Sequence, residues 1–340
     1  MRSMKSKIGN SESLLRSLVV ISAALLLLAA WTTPATALPK GWPERIVISS
    51  GPLGGPWYPA SVKFSEYLMK KFPGLNVTVI EGGGLGNIRL LETARDAQIG
   101  ITYSSTWYEA RAGEYKGVKY LNARGAFALM TSYMQFAVRA DSKIRSIVDL
   151  KNKRIVPGRI GWSSEIIFKN VLKQYGLDYN KIREQGGKVN FAGFAEMPTL
   201  LKDGHVDMVL LSGNSPHPAA LDIESSFPLR ILPLEKSKME AVMKELPGLF
   251  VSTIPAGRYK GNKEPVDVLA VAGIYIVNKD LPDNFMYELT KAYIEVGPEA
   301  RKLMPHLDLW SWEKGKAGIF KDLMHPGCLR AFEEAGYGFK

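Results

Sequence analysis

The 340-residue chain contains a single cysteine, Cys328. No internal disulfide can brace it, so its core alone must hold it together. Its four histidines (His205, His217, His306 and His325) lie far apart, without the i,i+4 or short-loop spacing of metal ligands. No metal site or cofactor is therefore expected. Catalytic strings are missing as well. Gly213-Asn214-Ser215-Pro216-His217 lacks the second glycine of a nucleophile elbow, no P-loop lysine follows Gly82–Gly86, and no G-x-G-x-x-G is complete. These absences argue against an enzyme. The formal charge is +11, yet no run of lysines and arginines is longer than two. Nucleic-acid binding needs a clustered basic stripe, so the charge favours small anionic solutes instead. Past the N-terminus no segment reaches the 18 apolar residues of a membrane span, and there is no solenoid period or low-complexity tract.

The N-terminus does carry a pattern. Arg2, Lys5, Lys7 and Arg16 form a basic region, Leu18–Ala30 is an apolar run of 13 residues, and Ala35-Thr36-Ala37 is an A-x-A cleavage site. Thirteen residues fall short of the roughly 20 of a bilayer span, and the flanks are those of an export signal. Residues 1–37 are expected to be removed, leaving a periplasmic chain that starts at Leu38. The four basic residues and Glu12 of this segment account for +3 of the +11, leaving +8. The remaining 303 residues suit two lobes better than one.

Two glycine-rich turns follow close together, Gly51-Pro52-Leu53-Gly54-Gly55-Pro56-Trp57-Tyr58-Pro59 and Glu81-Gly82-Gly83-Gly84-Leu85-Gly86-Asn87-Ile88. Each succeeds a β-branched strand (Arg45–Ser49 and Val77–Ile80) and leads into a helical pattern, so bare backbone N–H groups collect at helix N-termini where an anion can bind. Two such turns on consecutive strands predict one cleft at the carboxyl edge of a sheet. Strand and helix patterns alternate from there on, giving an α/β chain. A helix is expected from Asn87, a third strand at Gln98–Thr102, and further strands at Met134–Arg139, Arg154–Val156, Val189–Phe191, Met208–Leu211 and Leu229–Leu232. Asp267–Asn278 is longer than an ordinary strand and is expected to cross between lobes. Helical periodicity resumes at Asp283, with interruptions expected at Pro298, Pro305 and Pro326. Two βαβ lobes joined by two extended crossings form a hinged clamshell. Lobe I is placed at residues 38–138 and 278–340, and lobe II at 139–277.

These segments resemble the TAXI family of extracytoplasmic solute receptors, which serve TRAP transporters. The first turn with Tyr58-Pro59 resembles G-G-x-G-G-T-Y-Y-P, and Gly82–Ile88 resembles G-G-S-x-x-N-I. Val138–Ser142 is similar to the family's hinge strand, and Asp149–Ile155 to D-L-K-G-K-R-V. Leu201–Asp207, Ile254–Tyr259 and His325-Pro326-Gly327 resemble L-K-D-G-x-I-D, I-P-A-G-x-Y and H-P-G. The resemblance runs in register over nearly the whole exported chain. It implies a type II periplasmic-binding-protein fold with the ligand in the cleft, capture of a small organic acid or amino acid, and delivery to TRAP membrane subunits. A sensor or accessory binding module on the same fold stays open, because fold does not settle function.

The resemblance places ligand contacts on Gly54, Gly55, Trp57 and Tyr58, on Gly83, Gly84 and Asn87, and on Tyr103, Ser104 and Ser105. Lobe II would add Gly161, Ser163, Ser164 and Glu165, then Ser212, Gly213 and Asn214. The chain departs from the pattern in three places. Pro56 replaces a threonine, Tyr103-Ser104-Ser105 replaces Q-S-D, and Gly161-Trp162-Ser163-Ser164-Glu165 replaces G-S-G-T-E. An amide and a carboxylate are thereby lost while Tyr103 and Trp162 are gained, which disfavours an ammonium-bearing solute. Trp57 and Trp162, in glycine loops, are read as ligand contacts, whereas Trp107 is read as core. Arg159 is either a surface arginine or the counter-charge to a ligand carboxylate, and Glu165 either a ligand contact or a residue matched to the helix dipole. The anion is expected to rest on the N–H groups of Gly54, Gly55, Gly83 and Gly84.

Overall fold

The computed structural model describes residues 38–93, 96–310 and 316–337, so the expected signal at 1–37 lies outside the described residues. The chain runs β1 (Arg45–Ser49), α1 (Trp57–Lys71), β2 (Asn76–Ile80), α2 (Gly84–Thr93), β3 (Ile99–Tyr103) and α3 (Ser104–Ala112). A 17-residue β4 (Ala123–Arg139) leaves this unit. Then come β5 (Arg154–Val156), α4 (Ser163–Gln174), α5 (Tyr179–Glu184), β6 (Lys188–Val189), α6 (Met197–Lys202), β7 (Met208–Gly213), α7 (Pro218–Glu224), β8 (Leu229–Ile231), α8 (Lys236–Glu245) and β9 (Leu249–Ile254). β10 (Val266–Asn278) returns to the first unit, which α9 (Asp283–Leu303) and α10 (Pro326–Glu334) complete. Among the described residues no helix is long and apolar enough to cross a membrane.

The strands form one mixed sheet in the order β2-β1-β3-β10-β4-β7-β5-β6, with β8 on β4 and β9 on β10. It resolves into two halves of identical winding. In β2-β1-β3-β10-β4, three parallel strands meet the antiparallel visitor β10. In β6-β5-β7-β4-β8, three parallel strands meet the antiparallel visitor β4. Each lobe thus borrows a strand from the other's connection. β4 and β10 pair from Ala123↔Asn278 to Tyr133↔Ala270, after which β4 joins β7 and β10 joins β9. The result is the two-lobed α/β architecture expected, with the carboxyl ends of the parallel strands in both halves facing one cleft.

Two expectations need correction. Within β4 only Met134–Arg139 reads as a strand in the sequence, yet β4 begins eleven residues earlier, at Ala123. Its first half is buried almost without interruption. A strand covered on both faces shows no alternation to detect. The break expected at Pro298 does not occur either, since α9 continues through it to Leu303. Proline forfeits one backbone hydrogen bond. The buried face from Phe285 to Tyr293, with the Tyr293 ring stacked on Trp310 at 5.1 Å and 6°, holds the helix together past it.

Candidate functional site

Between the lobes lies a narrow, partly open cavity of about 30 Å³, and the lobes must part before it can hold anything larger than water. Its lobe I wall is Pro52, Gly55, Pro56 and Trp57 from the first turn, Gly83 and Gly84 from the second, and Tyr103 from the end of β3. Lobe II supplies Trp162, Ser163 and Ser164 at the start of α4, Phe194 after β6, and Ser212 at the end of β7. Each lobe contributes an aromatic pair. Trp57 meets Tyr103 edge-on at 5.0 Å and 88°, and Trp162 meets Phe194 at 4.9 Å and 52°.

Among the described residues, no charged side chain lines this cavity. Burial pushes the Tyr103 phenol up to about 12, with the Ser212 and Ser132 hydroxyls pulling the other way, so it stays protonated and serves as a hydrogen-bonding group. Ser163 Oγ is buried without a partner. Both α1 and α4 open here without a side-chain cap, leaving their first N–H groups to whatever enters. A helix start favours negative charge by about 0.3–1 kcal/mol when exposed and up to ~2 when partly buried. The wall therefore combines apolar rings with donors and dipole ends, and it offers no counter-charge to a cation.

Nine of the nineteen residues expected to touch a ligand line the cavity: Gly55, Trp57, Gly83, Gly84, Tyr103, Trp162, Ser163, Ser164 and Ser212. The other ten sit elsewhere, for reasons that are local. Asn87 is fully buried one layer behind the second turn. Its Oδ1 accepts from Ser49 Oγ (2.7 Å) and from Gly83 N–H (2.8 Å). Its Nδ2 donates to the carbonyls of Ser49 (2.8 Å), Ser50 (2.8 Å) and Ile101 (2.7 Å). Asn87 is thus a clamp tying the turn to β1 and β3, and α2 starts three residues before it rather than at it. Gly82 is glycine because a Cβ there would run into Asn87 Oδ1 and Ser49 Oγ.

The anion cradle of four glycine N–H groups is also corrected. Gly83 N–H is committed to Asn87, and Gly55 N–H donates to Pro52 O (3.2 Å). Gly54 faces Ala195 of lobe II. Tyr58 is half-buried outside the cavity wall. Ser104 and Ser105 are buried at the start of α3, against Gly248, with Ser104 also against Gly318. Gly213 packs on Pro56, and Asn214 turns to its own loop, donating Nδ2–H to Pro216 O at 2.6 Å.

Arg159 is a surface arginine rather than a residue of the cavity wall. It is half-exposed in an outer groove that Gly83 and Trp162 separate from the cavity, since both residues line each space. There its guanidinium lies 3.6 Å from Glu81 in lobe I and 3.3 Å from Glu196 in lobe II. Gly161 lines the same groove. Glu165 is buried in the first turn of α4, where it accepts from Tyr179 Oη (3.1 Å) and pairs with Lys169 (3.3 Å). Burial first, then this carboxylate, push the Tyr179 phenol upward.

Pro52, Pro56 and Phe194 line the cavity without having been expected there. A signal for Phe194 was present. Its loop follows β6, the lobe II counterpart of β2, and so matches the second glycine turn by symmetry. Gly193 marks that turn, since a Cβ there would press on the Arg159 guanidinium at 3.2 Å. Behind Phe194, whose ring meets His217 at 4.7 Å, the His217 N–H donates to Tyr259 Oη (2.9 Å), which donates to Gln135 Oε1.

Solved structures similar to this chain include the alkanesulfonate-binding protein SsuA from Xanthomonas axonopodis pv. citri bound to MOPS. That match has 16% identity, covers 86% of this chain and 84% of that one, and has a TM-score of 0.49. PhnD1 from Prochlorococcus marinus in complex with methylphosphonate has 15% identity over 78% and 90% of the two chains, TM-score 0.49. The arginine-bound form of truncated ArgBP from T. maritima has 14% identity over 74% and 96%, TM-score 0.45. Residues 48–336 match the model of the NMT1-like family, and the chain belongs to that family.

Proposed function

We propose that the exported chain is a periplasmic solute receptor that closes over one compact organic anion and hands it to a TRAP-type membrane permease. One observation carries the reading: a cavity built by both lobes, free of charged side chains, onto which two uncapped helices and the unpartnered Ser163 Oγ open. The anionic head would sit at the starts of α1 and α4, with Ser163 Oγ–H donating to it. The carbon skeleton would lie between the Trp57–Tyr103 and Trp162–Phe194 pairs. An α-amino acid fits less well, because Glu165 lies outside the cavity, engaged with Tyr179 and Lys169, and among the described residues no carboxylate lines it. The TRAP assignment rests on the motif resemblance. In this reading the lobes comprise residues 38–138 with 278–340, and 139–277, rotating about β4 and β10.

A thermal-shift screen of residues 38–340 against alkyl and aryl carboxylates, sulfonates, amino acids, sugars and polyamines tests the proposal. A ligand at about a hundredfold excess over Kd adds ~2.7 kcal/mol, which raises Tm by several degrees. Organic anions should give the shift. A panel in which only sugars, polyamines or zwitterionic amino acids shift Tm would overturn the reading.

A further inference from the structure

The two glycine turns do something besides walling the cavity. A Cβ built on Gly84 would fall 2.6 Å from Ser163 N and 3.0 Å from Gly161 O, both backbone atoms of the opposite lobe. A Cβ on Gly54 would fall 2.8 Å from Ala195 N and 3.1 Å from Ala195 Cα, again backbone across the cleft. Backbone cannot swing aside as a flexible side chain can, so both separations lie below what real packing tolerates. Both glycines also have left-handed backbones, φ +55° at Gly84 and +77° at Gly54. Their neighbours differ: Gly86 has nothing within 4 Å, and at Gly83 the nearest atom is 3.7 Å away. Close approach to the main chain of the other lobe thus falls on Gly54 and Gly84, whereas Gly82 needs a bare Cα against Asn87 and Ser49 of its own lobe. At the rim, Arg159 adds a bridge from Glu196 of its own lobe to Glu81 of the other. That bridge is half-exposed and accordingly the weaker contact.

We infer that Gly54 and Gly84 are positioning residues, the two seats on which the lobes close, and that they set how long a solute is held without supplying its recognition. The inference rests on the receptor reading for its biological meaning, while the contact itself can be tested without a solute. A side chain at either seat wedges the cleft apart. The cavity is then never sealed, and a bound molecule escapes faster although every recognising group is intact.

The test uses Leu53→Cys with Glu196→Cys, exposed positions that flank the Gly54–Ala195 seat on opposite lobes. Cys328, the chain's only native cysteine, is buried and stays out of the reaction. The rate of bridging by a short bis-maleimide, measured without solute, is proportional to the closed population and so reports even a minor one. Adding Gly84→Ala should slow bridging by about tenfold or more. Gly86→Ala, in the same turn, should leave the rate within about twofold, as should Gly176→Ala, a remote open glycine at φ +70° that carries the same backbone strain. If circular dichroism shows Gly84→Ala unfolded, Gly84→Asn adds the same Cβ with a residue that tolerates left-handed backbone, and the same slowing is expected. Bridging of Gly84→Ala or Gly84→Asn at the parent rate, or a parent pair that never bridges, would overturn the inference. An empty solute screen alongside slowed bridging would instead retire the receptor reading and leave the seats standing.

Discussion

Replacing Asn87 by alanine gives the sharpest test of how the site is built. The side chain is fully buried and satisfies five groups: Gly83 N–H, Ser49 Oγ–H, and the carbonyls of Ser49, Ser50 and Ile101. Nδ2 carries two hydrogens for three carbonyls, so one is shared. In Asn87→Ala the fully buried Ser49 hydroxyl and the half-buried Gly83 N–H both lose their acceptor. Stranding a buried polar group costs about 1–3 kcal/mol. The carbonyls keep a second lone pair and suffer less. The losses overlap, so the expected destabilisation is on the order of 3–5 kcal/mol, at the upper end for single substitutions. Against a typical 5–15 kcal/mol of total stability, the variant should fold but melt early. Urea unfolding followed by circular dichroism reads this as a lower midpoint at unchanged slope. Asn87→Asp should be at least as damaging at pH 7, because it aims a carboxylate oxygen at the carbonyls that Nδ2 now serves. A loss below about 1 kcal/mol in Asn87→Ala would show that the clamp is dispensable and the turn is held by other means.

Two further outcomes are expected. Burial pushes the His217 imidazole down to about 3 from its ordinary 6.5. The unfolded chain therefore takes up a proton near pH 6.5 that the folded one refuses until about pH 3. Stability should fall as pH drops through that window, by up to ~1.4 kcal/mol per pH unit for this one group. His217→Asn, which can still accept the Ala219 N–H now held by Nδ1 at 3.2 Å, should flatten that slope in urea titrations. An unchanged slope would place the acid sensitivity in His306 and His325, which burial shifts the same way. Separately, intact-mass analysis of exported protein should show a chain beginning at Leu38. Retention of residues 1–37 would contradict the signal reading.

The sequence made the frame legible and left the contacts across it hidden. Strand–glycine–helix order located both turns and the cleft they face, because those are local patterns with local causes. The reasons for individual glycines were not local. Gly84 answers to Ser163, and Gly54 to Ala195, partners that only the fold brings near. For the same reason the sequence left Arg159 open between a surface arginine and a ligand counter-charge when it bridges Glu81 and Glu196, and Asn87 read as a ligand contact when it clamps the carbonyls of Ser49, Ser50 and Ile101. The uncharged wall was partly foreseeable. Tyr103 and Trp162, where polar residues were expected from the resemblance, pointed to an aromatic pocket, and both line it.

The central claim is that the cavity selects a compact organic anion by helix starts and hydroxyls rather than by a salt bridge. The most direct measurement is calorimetric titration of residues 38–340 with the best acid from the screen, its primary amide, and the amine of the same skeleton. The account predicts one site per chain for the acid, at least about tenfold weaker binding of the amide, as expected for loss of roughly 1.4 kcal/mol, and no binding of the amine. Equal affinity for acid and amide, or tighter binding of the amine, would contradict it.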